Sequence, residues 1–137
     1  MPWAIDDRFK ISGNEAIVGF IMRNTTLSAH DEVAESLTSS ARGLSDVQWY
    51  CPNVHAYAYF VLYTRGNRIF GIAFGQNALA YRLPLERIVE AVAEGGSVCT
   101  AIGDDWILWD PWNTTGASTA KWCKVAHDHA VKYKCSG

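Results

Sequence analysis

Residues 56–83 read AYAYFVLYTRGNRIFGIAFGQNALAYRL, and the punctuation of this stretch decides the fold. Gly66 with Asn67, and Gln76 with Asn77, interrupt runs of strand-forming apolar residues. Glycine at the first position of a two-residue loop suits a type II′ hairpin turn. Residues 56–65, 68–75 and 78–83 are therefore predicted to form a three-stranded meander. Two-residue loops pair Phe60 with Ala73 and Gly71 with Arg82, since loop length sets register. One face then carries Tyr59, Val61, Tyr63, Phe70, Ile72, Phe74, Leu79, Tyr81 and Leu83. The other carries Phe60, Leu62, Ile69, Gly71, Ala73, Ala80 and Arg82. Both faces are apolar, whereas a meander with one wet face alternates apolar and polar residues. The sheet is thus expected to be covered on both sides, by helices on one and by the N-terminal segment or a second copy of the chain on the other.

Working outward, Pro84 sits where a helix starts, since its missing N–H is not needed there. Leu85, Ile88, Val89 and Val92 form an apolar stripe, read as buried, and Gly95 and Gly96 end the helix. Residues 98–102 and 106–110 flank a turn at Gly103, Asp104 and Asp105 and are predicted to form a hairpin. A last helix over 117–134 places Trp122, Val125, Ala126, His129 and Tyr133 on its buried stripe. Upstream, Ser28 is an N-cap, with Asp31 and Glu32 in the first turn where the helix dipole favours anions. Val33, Leu37 and Ala41 follow at helical spacing, which predicts a helix over 29–42. Residues 46–53, with Pro52, read as a connection. Residues 1–27 can be read in two ways. Ser12 and Glu15 have the spacing of a capping box opening a helix, but Gly19 and the β-branched Ile17, Val18 and Ile21 favour a strand over 16–22. The whole is expected to be one α+β domain over residues 1–137. Its antiparallel sheet has about five strands, the meander plus the hairpin, with helices packed on one face.

Composition narrows the functional classes. Of the 137 residues, Lys and Arg supply 12 and Asp and Glu 14, so charged residues make up only 19%, against about 25% in typical domains. Aromatic residues make up 12%, with Trp as frequent as Tyr at 6 each. A net charge of −2 argues against an electrostatic nucleic-acid binder. Nothing approaches the apolar run needed to span a membrane, so no membrane partner is expected. The opening residues Met1, Pro2, Trp3, Ala4, Ile5 and Asp6 do not read as a secretion signal. Cys51, Cys99, Cys123 and Cys135 form no CxxC pair, which in that setting reads as reduced thiols in a cytoplasmic protein.

Two blocks carry a family resemblance. One is Gly66, Asn67, Arg68, Ile69, Phe70, Gly71, Ile72 and Ala73, then Leu79, Ala80, Tyr81, Arg82, Leu83 and Pro84, then the amphipathic helix closed by Gly95 and Gly96. The other is Asp105, Trp106, Ile107 and Leu108, followed by a helix with Trp122, Ala126 and His127. Together they resemble the TfoX N-terminal and YjbR (MmcQ-like) group of small α+β domains, over somewhat more than half the chain. The Met-Phe-Gly segment common in that group is absent, and Tyr50, Cys51, Pro52 and Asn53 stand near its place. The resemblance implies a small α+β fold and a regulatory role rather than a settled catalytic chemistry.

Among candidate site residues, Arg82 projects from an apolar face, and a cation there needs a partner or a route to water. It reads either as an anion- or partner-binding arginine or as half of an ion pair with an Asp or Glu of a neighbouring helix, or as a side chain that snorkels to water from an edge strand. Asp104, Asp105 and Asp110 flank the Trp106 strand, as turn residues or as ligands of a divalent cation. Trp106 and Trp109 point to opposite faces of a strand, so at most one is expected in the core; an exposed Trp109 or Trp112 would mark a contact. Cys123 and His127 stand at i and i+4 on a helix, a spacing that can share a metal, but no further ligand follows. His129 reads as a core histidine. No nucleophile elbow, phosphate loop or dinucleotide fingerprint is present, so neither cofactor nor metal is implied. The expectation is a non-enzymatic protein acting by association or regulation as a homodimer, through an aromatic-rich surface. The alternative is a module that binds a small anionic ligand beside Arg82, Asp105, Trp106 and Trp109. A hydrolytic enzyme has the least support.

Overall fold

The sheet is the centre of the molecule. The structure is a computed structural model and describes residues 6–24, 28–51 and 59–132. Among these residues the sheet has six strands, all antiparallel: β1 (Val47–Tyr50), β2 (Phe60–Thr64), β3 (Ile69–Phe74), β4 (Ala78–Arg82), β5 (Ser97–Val98) and β6 (Trp106–Trp109). Their spatial order is β1-β2-β3-β4-β6-β5. The helices are α1 (Glu15–Arg23), α2 (Asp31–Ser40), α3 (Ile88–Ala93) and α4 (Gly116–Lys132), with a 3-10 turn, Leu85–Arg87, leading into α3. No helix among the described residues is long and apolar enough to cross a membrane. The α+β class and the antiparallel sheet are as the sequence predicts. The sixth strand is β1, where Val47, Gln48, Trp49 and Tyr50 pair with β2 in the segment read as a connection. Residues 56–58 of the predicted first strand, and Tyr133 of the last helix, lie outside the described residues.

In the first hairpin Phe60 pairs with Ala73, Val61 with Ile72 and Leu62 with Gly71, as expected, and register departs only beside the loop; in the second it departs throughout. Each loop has three residues rather than two. At the first, the Thr64 N–H donates to the Arg68 carbonyl (3.0 Å) and Asn67 takes a left-handed conformation, with φ of 69°. A β-bulge follows: Leu62 pairs with Gly71 but Tyr63 with Ile69, so Phe70 is the extra residue and lies on the same side as Gly71. At the second, Gly75 turns with φ of 66° and Phe74 pairs with Ala78. Gly71 therefore faces Tyr81, not Arg82. A slip of one residue exchanges the two faces of a strand, so Leu79, Tyr81 and Leu83 join Leu62 and Ala73, while Ala80 joins Val61 and Ile72.

The first face is covered by α2 and α4. Val33, Leu37, Trp122, Cys123 and Ala126 pack there with Phe70, Leu79, Tyr81, Ile107 and Trp109. The fully buried Tyr81 hydroxyl meets the Ser40 Oγ at 2.6 Å, which satisfies a polar group that burial would otherwise penalise. On α4 the buried histidine is His127 rather than His129, which is only partly buried.

The second face is covered by the N-terminal segment. Residues 15–23 form a helix and not the favoured strand: Ile17, Phe20 and Ile21 fall at helical spacing and bury themselves with Phe9 against Tyr63, Ile69, Ile72, Ala80 and Trp106. Burial of these four side chains contributes on the order of 8 kcal/mol, which outweighs a strand preference of at most about 1 kcal/mol per β-branched residue. Helices therefore lie on both faces of the sheet, α1 on one and α2 and α4 on the other.

Asn14 pins this segment in place. Fully buried, it donates through Nδ2 to the Phe9 carbonyl (3.0 Å) and to the Asn67 carbonyl (2.8 Å), and its Oδ1 accepts the Ile69 N–H at 3.1 Å. One amide thus joins the turn before α1 to the hairpin beside the bulge. Asn14→Ala takes away the side-chain partner of the Asn67 carbonyl and of the Ile69 N–H, while the Phe9 carbonyl keeps the Ile11 N–H at 2.9 Å; each group left unpaired costs about 1–3 kcal/mol when buried. We expect urea denaturation of this variant to show a loss of about 2 kcal/mol or more; a loss under about 0.5 kcal/mol, the usual effect of a surface change, would show that the pin is dispensable.

Candidate functional site

Three of the four residues marked by the sequence come together. Arg82, at the end of β4, lies directly across from Trp106 on β6, with Asp105 just before it. The Arg82 Nε donates to Asp105 Oδ2 at 2.8 Å and one terminal nitrogen donates to the Gly13 carbonyl at 2.6 Å. The two charged side chains are 24% and 25% exposed. Arg82 thus closes an ion pair, not with a neighbouring helix but with the turn leading into β6, and it binds the turn that precedes α1. The gap bordered by Arg68, Phe70, Arg82, His129 and Ala130 has no room for a water molecule.

Trp109 is not part of this group. Trp106 and Trp109 are both almost fully buried, on opposite faces. The expectation that only one could be core fails because the sheet has a core on each side. Trp109 stacks on Trp122 of α4, with ring centroids 5.7 Å apart.

Electrostatics around Arg82 follow from crowding. Backbone N–H groups, including that of Gly13, hold the Glu15 carboxyl below its usual range, and the charges of Arg82 and Arg68 add to this. Burial lowers the affinity of His129 for a proton, and the Arg82 charge lowers it further. The neutral imidazole is therefore the form the fold favours.

The other candidates perform separate local tasks. Asp104 is exposed in its turn. Asp110 accepts from the Trp112 N–H (2.9 Å) and from Asn113 Nδ2 (2.8 Å), capping the 3-10 turn Pro111–Asn113. Among the described residues, no three His, Cys, Asp or Glu side chains are arranged to hold a metal ion. Cys123 is fully buried and burial raises its thiol pKa to about 11, which favours the neutral thiol at neutral pH. The rings of His127 and Phe70 meet in a T-shaped contact with centroids 5.5 Å apart.

The surface feature that sequence reading missed is α3. Leu85, Val89 and Val92 stand at i, i+4 and i+7 and were expected in the core, yet Leu85 is 73% and Val89 82% exposed, and Val92 is exposed as well. The buried side of α3 is instead that of Ala91, with Ile88 partly buried against the same core. The helix has two apolar stripes, and the smaller one faces inward because α3 lies close to the sheet. A Cβ added at Gly96, just after α3, would sit 2.5 Å from Ile107. The doubled stripe was the available signal, since one stripe suffices to seat a helix. Val98, exposed on edge strand β5, pairs with Ile107 and extends the apolar surface. Two tryptophans are also exposed elsewhere: Trp49 on edge strand β1, tilted over Phe60 at 5.8 Å, and Trp112 after β6.

Comparison with known protein families, with curated proteins and with solved structures finds no match for this chain.

The Arg82–Asp105 pair is accessible to a double-mutant cycle in stability. With Arg82→Met and Asp105→Asn, a partly exposed charge pair of this geometry should show a coupling of about 1 kcal/mol. Additivity within about 0.3 kcal/mol would mean that Arg82 is not held by Asp105 in solution.

Proposed function

We propose that this chain is a non-enzymatic association module that pairs with a second copy of itself through the α3 stripe and edge strand β5. The observation that carries the reading is the exposure of Leu85, in the 3-10 turn leading into α3, and of Val89 and Val92 on α3, with Val98 exposed on the adjoining β5. Single exposed apolar residues are ordinary, but a contiguous patch marks a contact.

The surrounding charges favour a second copy as the occupant. Glu90 pairs with Arg87 at 2.9 Å and with Lys121 at 3.0 Å, and Glu94 with Lys121 at 2.7 Å. With these carboxylates neutralised within the protomer, two identical surfaces can approach with little like-charge repulsion. A two-fold contact needs a self-complementary surface, and an aliphatic stripe is one. The β5 edge adds backbone groups available for pairing across the axis. The contact surface in this reading is aliphatic rather than aromatic. A regulatory role through association, the role implied by the resemblance to TfoX and YjbR domains, fits it. So does a cytoplasmic setting, where the unpaired thiols of Cys51, Cys99 and Cys123 stay reduced.

Four aliphatic side chains make a small patch, of the kind found in transient contacts. Sedimentation should therefore span about 1 μM to 1 mM, which covers binding free energies of about −8 to −4 kcal/mol. The wild-type chain is expected to shift from monomer to dimer within that span. Val89→Asp, at an exposed site, should remain monomeric while unfolding as the wild type does. A wild-type monomer at the highest concentration would overturn the reading, as would a dimer abolished by Trp49→Asp but not by Val89→Asp.

A further inference from the structure

A cleft of about 330 Å³ lies between the C-terminal half of α2, the Pro111–Asn113 turn and the start of α4, and it adjoins a second depression of about 180 Å³ that ends at Trp112. The two share Glu35, Ser36 and Pro111. We propose that this cleft binds a small saccharide, with one sugar ring stacked on Trp112 and its hydroxyls bonded to Glu35 and to the hydroxyl-lined wall.

The polarity of the wall selects the ligand. Thr114 donates its hydroxyl hydrogen to the Asp110 carbonyl (2.7 Å) and Thr119 to the Gly116 carbonyl (3.0 Å). With those hydrogens committed, both oxygens, on the wall of the cleft, keep only acceptor capacity. The Glu35 carboxylate is a further acceptor. Ser36 and Ser39, also on the wall, have rotatable hydroxyls that can donate or accept. The charged side chains of the lining are the carboxylates Glu32 and Glu35, which disfavours anions. A ring bearing several hydroxyls can donate to the fixed acceptors and accept from the two serines.

Trp112 supplies the platform. Its indole Nε1 donates to the Gln76 carbonyl at 2.7 Å and its ring lies nearly perpendicular to that of His30 with centroids 5.3 Å apart, while half of the residue stays exposed. A tryptophan already held by a hydrogen bond and a ring contact, and half exposed, costs little entropy when a flat apolar ligand surface settles on it. A simple amine is the competing ligand. Glu32 and Glu35 are exposed to water, however, and screened carboxylates at a surface attract a cation only weakly. Stacking combined with several directional hydrogen bonds therefore favours the sugar.

The test is a titration of the full chain with glucose, N-acetylglucosamine and cellobiose, following the indole N–H resonances by NMR, with spermidine as the amine probe. At least one sugar is expected to shift the Trp112 resonance saturably. Glu35→Gln should weaken that binding about tenfold, and Trp112→Ala should abolish the saturable backbone shifts at Ser36 and Thr114. If none of the sugars gives a saturable shift, or if sugar binding survives Trp112→Ala unchanged, the proposal fails. Binding of spermidine alone would replace it with an amine site.

Discussion

The sheet has no wet face, and the rest of the molecule is arranged to meet that constraint. Val61, Ile72 and Trp106 point one way while Leu79, Tyr81 and Trp109 point the other, all buried. Each face left in water would cost several kcal/mol per pair of large side chains. Two layers of cover are required, and the chain supplies both. The more demanding is the N-terminal one, because α1 is a short helix that must be held by something other than its own propensity. Asn14 holds it, by tying three backbone groups together in the interior. Arg82 adds a second tie at the Gly13 carbonyl. The residue that looked most like a ligand site is thus engaged in attaching the cover to the sheet.

With both faces covered in this way, the remaining surface becomes informative. The low charge content reflects two cores rather than one, and most of the aromatic surplus lies within them: Phe9 packs edge-on to Tyr63, Phe20 against Phe74, and Trp109 against Trp122. Among the described residues, the large apolar side chains left exposed include the α3 stripe, Trp49 and Trp112. The α3 stripe supports self-association, and Trp112 borders a cleft whose wall is rich in acceptors.

How far the sequence could be read depended on the range of the interaction in question. The meander, the helix following Ser28 and the final helix were legible because their apolar spacing is local and strong. The faces of β4 were not, because Gly75 admits a three-residue loop as readily as the expected two-residue one, and a single residue inverts the strand. Phe70 was assigned to the wrong face for a related reason, a bulge whose cause is the left-handed Asn67. The helix at residues 15–23 was misjudged because β-branched residues outweighed periodicity; what decides it is burial against a sheet that local propensity does not register. At the site, the ion pair of Arg82 was anticipated in kind, but not its partner, since Asp105 reaches it only through the β4–β6 pairing. The exposed α3 stripe was read as core because apolar periodicity alone does not say which of two stripes turns inward.

The central claim is that the chain covers its own second face. Ring-to-ring nuclear Overhauser contacts test it most directly: Phe20 to Phe74, with centroids 5.1 Å apart, and Phe9 to Tyr63 at 4.9 Å. The contacts should be measured on dilute uniformly labelled protein and again, with isotope filtering, on a mixture of labelled and unlabelled chains. The account predicts that both appear within one chain, independent of concentration, and that the filtered experiment shows neither. Contacts seen only between labelled and unlabelled chains, or absent altogether, would contradict it, because the second face would then be covered by another copy or by nothing.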